Sequence, residues 1–265
     1  MKIDPSTQKR PHGNNSEFPW DDFDSRFYYD HNYSQLRQDD RKIVESVRDF
    51  LSKLHGDGEI GDGLRGLDVG SGANLYPTFT MLPLCRSITM WEYAASNVEW
   101  LKRQIPRFDP SWDTFWNLLA DDPLYDAVED PRRALAERST VVQDSIFNLP
   151  TEEWDIGTMF FVAESFTTEI SEFQAATRRF LGALRPGAPF AAAFMENSTG
   201  YDVGDHRFPA VAVSADDVKE SLRGHTSEDT LVQRIELDDK PLRDGYSGMI
   251  LATGKSNGRN VTAGK

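Results

Sequence analysis

The sequence is poor in cysteine, in long apolar runs and in basic residues. Its single cysteine, Cys85, excludes an intramolecular disulfide and a metal site built from several cysteines. No apolar run is long enough to span a membrane and no apolar leader opens the chain, so we expect a cytoplasmic protein without a membrane partner. Lys and Arg number 29 against 43 Asp and Glu, a formal charge of −14. This charge disfavours nucleic acid as a partner and favours a small neutral or cationic ligand.

A glycine-rich stretch is the most informative part of the chain. Residues 64–76 read LRGLDVGSGANLY, and the next apolar run, 88–91, ends at Glu92. Gly70 and Gly72 lack the Cβ that would block a tight strand-to-helix turn, so the backbone can approach a ligand closely. A carboxylate at the end of the following strand suits the two hydroxyls of a ribose. Together these features predict a site for an adenosine-containing cofactor at the edge of a parallel sheet.

The spacing of the glycines argues against NAD. A dinucleotide fingerprint needs G-x-G-x-x-G, and Leu75 occupies its third glycine position. The G-x-x-x-x-G-K-[ST] loop of nucleotide triphosphate sites is absent as well. Asp68 ends the first predicted strand, where its carboxylate would repel a pyrophosphate but accept hydrogen bonds from a cationic amino acid. S-adenosylmethionine (SAM) meets these conditions, because it has no phosphate and carries a sulfonium, an ammonium, a carboxylate and a ribose.

Several motifs of this sequence resemble those of a known protein family. Residues 68–72, DVGSG, resemble motif I of class I SAM-dependent methyltransferases. The longer stretch 68–97, with its WEY triplet, resembles the family of nicotinamide, phenylethanolamine and indolethylamine N-methyltransferases. Residues 23–33 resemble the tyrosine-rich N-terminal segment of that family, and 195–208 resemble its strand-5 exit and substrate loop. The resemblance covers roughly residues 20–255 and implies a Rossmann-like fold, SAM as cofactor and a small-molecule acceptor.

The resemblance also implies which residues hold the cofactor. Asp68, Gly70 and Gly72 would form the cradle for its methionine end, and Glu92 would bind its ribose. The further cofactor residues would be Tyr28 and Tyr33 of the N-terminal lid, Tyr76 of the motif, Tyr93 and Asn97 beside adenine and ribose, and Asp144 and Ser145 at the adenine amino group. An aromatic lid suits a sulfonium, because a ring face attracts a cation. An Asp after a strand is also a common turn residue, which leaves Asp144 a structural alternative.

Three residues are candidates for catalysis on the acceptor side. Glu164 follows an apolar run directly, and Glu196 stands where amine methyltransferases of the family place an acidic substrate anchor. Either carboxylate could hold an ammonium or N–H group or accept a proton. His206 is the third candidate, and a solvated loop position explains it equally well. Substrate contacts are predicted for Tyr29, Asn32, Phe161 and Tyr201, with Asn32 standing where the nicotinamide-type members carry a tyrosine.

Periodicity predicts one large α/β domain between polar ends. Residues 1–20 and 256–265 are predicted to be disordered, and they flank a single domain over 21–255 whose lid and first helix occupy 21–60. Helical spacing predicts an amphipathic helix over 39–54. Strand-like runs follow at 65–69, 87–92, 140–143, 155–162, 189–195, 232–237 and 248–253. Their alternation with helical patterns predicts a Rossmann-like, seven-stranded and mostly parallel sheet with helices on both faces.

One segment interrupts this alternation. Residues 106–138 are rich in Trp, Asp and Pro and predict a loop-helix insertion that covers the sheet. Trp112 and Trp116 within it either bury the underside of the insertion or contact a substrate. Burial is the favoured interpretation.

The leading hypothesis is a SAM-dependent methyltransferase (EC 2.1.1) that acts on a small amine or N-heterocycle, for example in specialised metabolism. A neutral amine needs no general base, because its proton can leave after methyl transfer. The first alternative is C- or O-methylation of an electron-rich aromatic such as an indole, with Glu164 or His206 taking the proton. The second is a SAM-binding regulator without catalysis, and the intact cradle and lid argue against it.

Overall fold

A seven-stranded sheet organises residues 13–236 and 245–258, the part of the chain that our computed structural model describes. The strands are β1 (Leu64–Val69), β2 (Cys85–Glu92), β3 (Ser139–Gln143), β4 (Ile156–Phe160), β5 (Pro189–Glu196), β8 (Leu231–Ile235) and β9 (Gly248–Lys255), and a separate hairpin pairs β6 (Tyr201–Val203) with β7 (His206–Phe208). The sheet has the order β3-β2-β1-β4-β5-β9-β8. The first five strands are parallel, and β9 is antiparallel to both of its neighbours. The predicted seven-stranded, mostly parallel sheet is therefore confirmed.

The strand order reverses beside β1, which is where a ligand crevice is expected. Chain connections run outward in opposite directions from β1 and β4, so the loops at their carboxyl ends separate and leave an opening. The central strands β4 and β5 are buried along their whole length, as strands covered by helices on either side must be. The fourth strand ends at Phe160 rather than at residue 162, and the last part of the predicted strand 232–237 lies outside the described residues.

Helices cover both faces of the sheet. They are α1 (Ser25–Asn32), α2 (Gln38–Gly56), α3 (Tyr76–Met81), α4 (Ala95–Gln104), α5 (Trp112–Leu119), α6 (Pro123–Asp126), α7 (Pro131–Arg138), α8 (Ile170–Ala183) and α9 (Ala215–Leu222). One apolar core, which includes Phe79 and Phe115, lies on the face covered by α2, α3 and α5. A second core, which includes Phe173 and Val218, lies on the face covered by α8 and α9. Among the described residues, no helix combines the length and apolar character needed to cross a membrane.

The insertion between β2 and β3 consists of α5, α6 and α7. Asp122 and Asp130 accept hydrogen bonds from the backbone N–H groups of Leu124 and Arg133 and so cap α6 and α7. A proline follows each capping aspartate, where the missing N–H costs nothing. The indoles of Trp112 and Trp116 are buried in the first core, as the burial interpretation predicts.

The two segments predicted to be disordered, residues 1–20 and 256–265, both include residues that are structured. Residues 13–20 are structured, because short 3-10 helices at Asn15–Glu17 and Trp20–Asp22 pack on the domain. The indole of Trp20 contacts the ring of Phe208, with centroids 5.0 Å apart. At the other end, Ser256 exchanges backbone hydrogen bonds with Ala188 and Gly187. Residues 1–12 and 259–265 lie outside the described residues.

Candidate cofactor and acceptor site

A cleft opens at the carboxyl ends of β1, β2, β3 and β4. The lining residues come from the loops that follow these strands, from the N-terminal segment and from β6. They are Asn15, Trp20, Phe23, Tyr28, Tyr33, residues 69–74, residues 91–94, Asn97, Asp144, Ile146, residues 160–162, Ser165, Phe166 and Tyr201.

The glycine loop after β1 forms the floor of the cleft. Gly70 and Gly72 have φ angles of +63° and +55°, in the left-handed region that favours glycine. A Cβ on Gly70 would lie 2.5 Å from Cγ1 of Val162, so no side chain fits there. The loop therefore presents bare backbone to the cleft, as its sequence predicts.

Glu92 holds this loop and also lines the cleft. Its Oε2 accepts a hydrogen bond from the N–H of Gly72 at 2.8 Å, and its Oε1 accepts one from the N–H of Ala94 at 2.8 Å. Burial raises the pKa of Glu92, while these backbone donors act in the opposite direction. Each carboxylate oxygen has a second lone pair with which to accept from a ligand hydroxyl.

The other cofactor candidates at the ends of β2 and β3 also line the cleft. Tyr93 is partly exposed at its rim. Asn97 accepts a hydrogen bond from the hydroxyl of Ser25 at 2.7 Å, which ties α1 to α4. Asp144 accepts from the N–H of Ser145 at 2.7 Å. Ser145 itself faces a groove outside the cleft and caps the turn at Phe147, which corrects its predicted contact with the cofactor.

Asp68 lies beneath the glycine loop instead of facing a ligand. Its two carboxylate oxygens accept hydrogen bonds from the hydroxyls of Thr78 at 2.8 Å and Thr158 at 2.9 Å, and it is absent from the cleft lining. Burial raises the pKa of Asp68 to about 7, against the lowering effect of these hydroxyl donors. The predicted direct contact is thus corrected: Asp68 supports the loop from below.

Tyr76 is likewise displaced from its predicted contact. Its hydroxyl donates to Oδ1 of Asp40 at 3.0 Å, and its ring packs against Tyr33 and Phe160, which do line the cleft. Burial raises the pKa of Tyr76 well above its usual value, and the nearby Asp40 carboxyl adds to this effect. Tyr76 therefore packs behind the residues that line the cleft and does not line it itself.

The lid helix α1 divides its residues between the cleft and the core. Tyr28 lines the cleft and contacts the rings of Phe23 and Tyr201, with centroids 5.1 and 6.1 Å away. Tyr29 points away, because consecutive side chains on a helix are about 100° apart. Its ring packs on Trp100 and Trp112.

Asn32 also turns away from the cleft, where its amide donates to the backbone oxygen of Tyr28 at 2.6 Å. The predicted substrate contacts of Tyr29 and Asn32 are therefore corrected. Phe161 and Tyr201, the other two substrate candidates, line the cleft. Phe161 has a φ of +60°, a strained backbone conformation of the kind that recurs at binding sites.

None of the three catalytic candidates lines the cleft. Glu164 is fully buried, and its Oε1 accepts from the N–H of Met195 at 2.9 Å, which joins the exit of β4 to β5. Glu196 accepts from Nε of Arg234 at 2.7 Å and from the hydroxyl of Ser247 at 2.8 Å, on the side of β5 that faces β9. His206 is exposed at the start of β7, the second strand of the hairpin. The predictions of catalytic contact are corrected accordingly.

The lining residues that were not predicted as site residues from the sequence include Asn15, Trp20 and Asn74. Oδ1 of Asn74 accepts from the N–H of Tyr76 at 3.1 Å, but its buried Nδ2 has no hydrogen-bond partner among the described residues. A buried amide N–H without a partner is costly, so this donor suits a ligand acceptor. An amide directly after the glycine loop was the available signal in the sequence.

The fold and the cleft together define a class I SAM-dependent methyltransferase. The strand order, the bare glycine loop and the acidic end of β2 suit a phosphate-free adenosine cofactor, and within the described residues no cluster of side chains is arranged for a metal ion. The sequence model of the NNMT/PNMT/TEMT family matches residues 14–255, and the chain belongs to this family. It is therefore a SAM-dependent methyltransferase.

Solved structures of methyltransferases share this fold. A 1,6-didemethyltoxoflavin-N1-methyltransferase from Burkholderia thailandensis, with bound 1,6-didemethyltoxoflavin and S-adenosylhomocysteine, has 16% identity and a TM-score of 0.54 over 97% of this chain and 98% of that chain. The N-methyltransferase NodS from Bradyrhizobium japonicum WM9, in complex with S-adenosyl-L-homocysteine, has 12% identity and a TM-score of 0.52 over 83% and 88%. A SAM-dependent methyltransferase from Clostridium acetobutylicum has 11% identity and a TM-score of 0.52 over 81% and 92%. No protein of curated function matches the sequence.

Proposed function

We propose that this protein transfers the methyl group of SAM to a nitrogen of a small, neutral heteroaromatic ring. The observation that carries the proposal is the composition of the cleft. Among the described residues, the carboxylates that line it are Glu92, at the end of β2, and Asp144, directly after β3. The wall formed by the lid, the exit of β4 and the hairpin is aromatic and uncharged. It includes Phe23, Tyr28, Phe161 and Tyr201.

The cofactor belongs at the end of the cleft where β1, β2 and β3 meet. In this proposal Glu92 binds the ribose hydroxyls, and Asp144, Tyr93 and Asn97 surround the adenine. The backbone of the glycine loop and the Nδ2 of Asn74, which has no partner among the described residues, bind the methionine end. The geometry supports this arrangement, because the bare loop gives room for a ligand and Asn74 supplies a donor for its carboxylate.

An aromatic wall favours a flat acceptor. Ring faces that enclose a planar molecule gain from apolar burial and from offset stacking. An aliphatic ammonium would lose its hydration without gaining a carboxylate partner, because Glu164 and Glu196 are turned away into the protein. The geometry therefore favours an N-heterocycle over an aliphatic amine as the acceptor. The sequence alone does not choose between the two.

Catalysis in this arrangement rests on alignment and exclusion of water. Bound SAM supplies a methyl group that its sulfonium already activates. The aromatic wall holds the acceptor in a fixed plane, and such positioning can lower a barrier by roughly 7–11 kcal/mol. A neutral ring nitrogen offers its lone pair without first losing a proton. The described residues of this wall include no carboxylate or imidazole, and this reaction requires none. C- or O-methylation with Glu164 or His206 as the base is disfavoured, because neither residue lines the cleft.

The test is a mass-spectrometric screen of purified protein and SAM against matched N-heterocycles, aliphatic amines, indoles and phenols. The expected result is a gain of one methyl group on a ring nitrogen, located by fragmentation, with no product from the amines. Methyl groups found on carbon or oxygen would replace the proposal with its alternative. SAM binding by calorimetry without any product would favour a regulator. A Glu92→Ala variant serves as the inactive control.

A further inference from the structure

The N-terminal residues 13–22 form a strap across the cleft. At one end the strap is tied to α8, where the N–H of Gly13 donates to Oγ1 of Thr168 at 3.0 Å. At the other end Oδ1 of Asp21 accepts from the N–H of Ala95, at the start of α4, at 3.0 Å. These ties join the helix that follows β4 to the helix that follows β2, so the strap spans the strand ends between them.

Trp20 places the strap at the cofactor end of the cleft. Trp20 lines the cleft and also a second groove. Tyr93 and Asp144, which directly follow β2 and β3, line both as well. Trp20 therefore separates the cleft from solvent beside the two residues that the proposed function places around adenine.

Asn15 carries an unused amide at the same site. Its main chain is fixed, because its N–H donates to Oε2 of Glu172 at 2.9 Å and its carbonyl accepts from Nε1 of Trp20 at 2.8 Å. Asn15 is 9% exposed and lines the cleft, yet within the described part of the chain its side-chain amide forms no hydrogen bond. Its donor and acceptor are both available to a ligand.

We propose that the strap supplies two adenine-recognition residues, with Trp20 offering a ring face to the base and Asn15 pairing with its edge. An asparagine amide matches the adjacent donor and acceptor of adenine, the pairing that also reads this base in DNA. An indole gains from contact with any base, because every base has a π face. This inference rests on the proposed placement of adenine between Tyr93 and Asp144. It extends the cofactor site to residues that precede the tyrosine-rich lid.

The strap contains matched controls for both residues. Asn14 is adjacent to Asn15 but exposed, and Phe18 is an aromatic of the strap that does not line the cleft. SAM and S-adenosylhomocysteine affinities would be measured by calorimetry for Asn15→Ala, Asn14→Ala, Trp20→Ala and Phe18→Ala. We expect Kd to rise about 10-fold for the Asn15 and Trp20 variants and to stay within about 2-fold for the controls.

Two further measurements separate recognition from loss of strap structure. Trp20→Phe keeps an aromatic face but removes the N–H that binds Asn15, so it should retain most of the affinity that Trp20→Ala loses. Replacing SAM by its inosine analogue removes the adenine amino group. We expect Asn15→Ala to lose the preference for SAM over this analogue, while Asn14→Ala keeps it.

Equal Kd values for all four variants would overturn the inference, as would an Asn15→Ala variant whose defect is confined to the acceptor KM. A Glu92→Ala variant keeps the two proposals apart. If Glu92→Ala abolishes SAM binding while the strap variants bind normally, the strap inference fails and the proposed site stands. If Glu92→Ala binds SAM normally, the proposed placement of the cofactor itself is wrong.

Discussion

Buried carboxyl groups support the cleft from behind, and their protonation links the stability of the protein to pH. Asp40 lies in α2 beside Asp39 and accepts the hydroxyl of Tyr76, whose ring backs the cofactor end of the cleft. Burial, and then the neighbouring charge of Asp39, raises the pKa of Asp40 to about 7. A protonated, uncharged Asp40 can still accept the hydrogen bond from Tyr76. This contact therefore does not require the ionised form of Asp40.

We predict that Asp40→Asn stabilises the protein at alkaline pH. Because the native pKa of Asp40 exceeds the unfolded value of about 3.9, the folded protein binds more protons than the unfolded chain between roughly pH 4 and 7. The free energy of unfolding therefore falls as the pH rises through this window, by about 1 kcal/mol per pH unit from this group. An amide in place of this carboxyl would remove that slope, so urea unfolding should show a gain over wild type that is several-fold larger at pH 8 than at pH 4.5.

Asp49→Asn is the matched control for this prediction, because Asp49 is on the same helix but its side chain is 64% exposed. Its two unfolding free energies should follow those of wild type. A variant at position 40 that loses equal stability at both pH values would contradict the prediction. That outcome would mean that Asp40 works as a charged acceptor.

For single residues, the sequence predicts the role of the backbone better than the direction in which a side chain points. Gly70, Gly72 and Glu92 line the cleft, because a tight turn and a strand end constrain where they can lie. Glu164 is placed wrongly because β4 ends at Phe160 and the chain turns through the left-handed Phe161. Glu196 is placed wrongly because its partner Arg234 is 38 residues away in sequence.

In the insertion formed by α5, α6 and α7, local sequence patterns mark where helices begin. The Asp-Pro pairs at 122–123 and 130–131 are sequence signals for the start of α6 and α7. The three-residue strands of the β6–β7 hairpin carry no comparable signal, since periodicity needs longer runs. Elements with caps are thus predictable, whereas elements defined by pairing alone are not.

We predict that the insertion contributes packing and not substrate contact. The indole of Trp116 lies edge-on to the rings of Phe79 and Tyr125 in the core, with centroids 6.0 and 6.3 Å away. Trp116→Ala should therefore lower the free energy of unfolding by about 3 kcal/mol, because it leaves a cavity. SAM Kd and acceptor KM, measured under conditions where the variant is folded, should not change. Trp20→Ala should show the opposite pattern, and a raised KM with normal stability for Trp116→Ala would disprove the packing role.

The net negative charge of the whole molecule acts differently on the cofactor SAM and on its product S-adenosylhomocysteine. With 43 acidic and 29 basic residues, the protein has a negative potential that extends into solution over roughly a Debye length, about 8 Å at physiological salt. SAM has a net charge of +1, because its sulfonium and ammonium outweigh its carboxylate. S-adenosylhomocysteine has lost the sulfonium and is neutral overall. The field of the protein therefore attracts the cofactor and has little hold on the product.

We predict that salt weakens the binding of SAM more than that of S-adenosylhomocysteine. Raising the NaCl concentration from 50 to 500 mM shortens the Debye length several-fold, and we expect the Kd of SAM to rise about 2- to 5-fold while that of the neutral product stays nearly constant. Calorimetric titrations of both ligands across this range measure the difference. Sinefungin, which replaces the sulfonium by an ammonium-bearing carbon, should follow SAM because it has the same net charge. Parallel salt dependence of all three ligands would mean that local contacts within the cleft, and not the charge of the whole protein, set the preference.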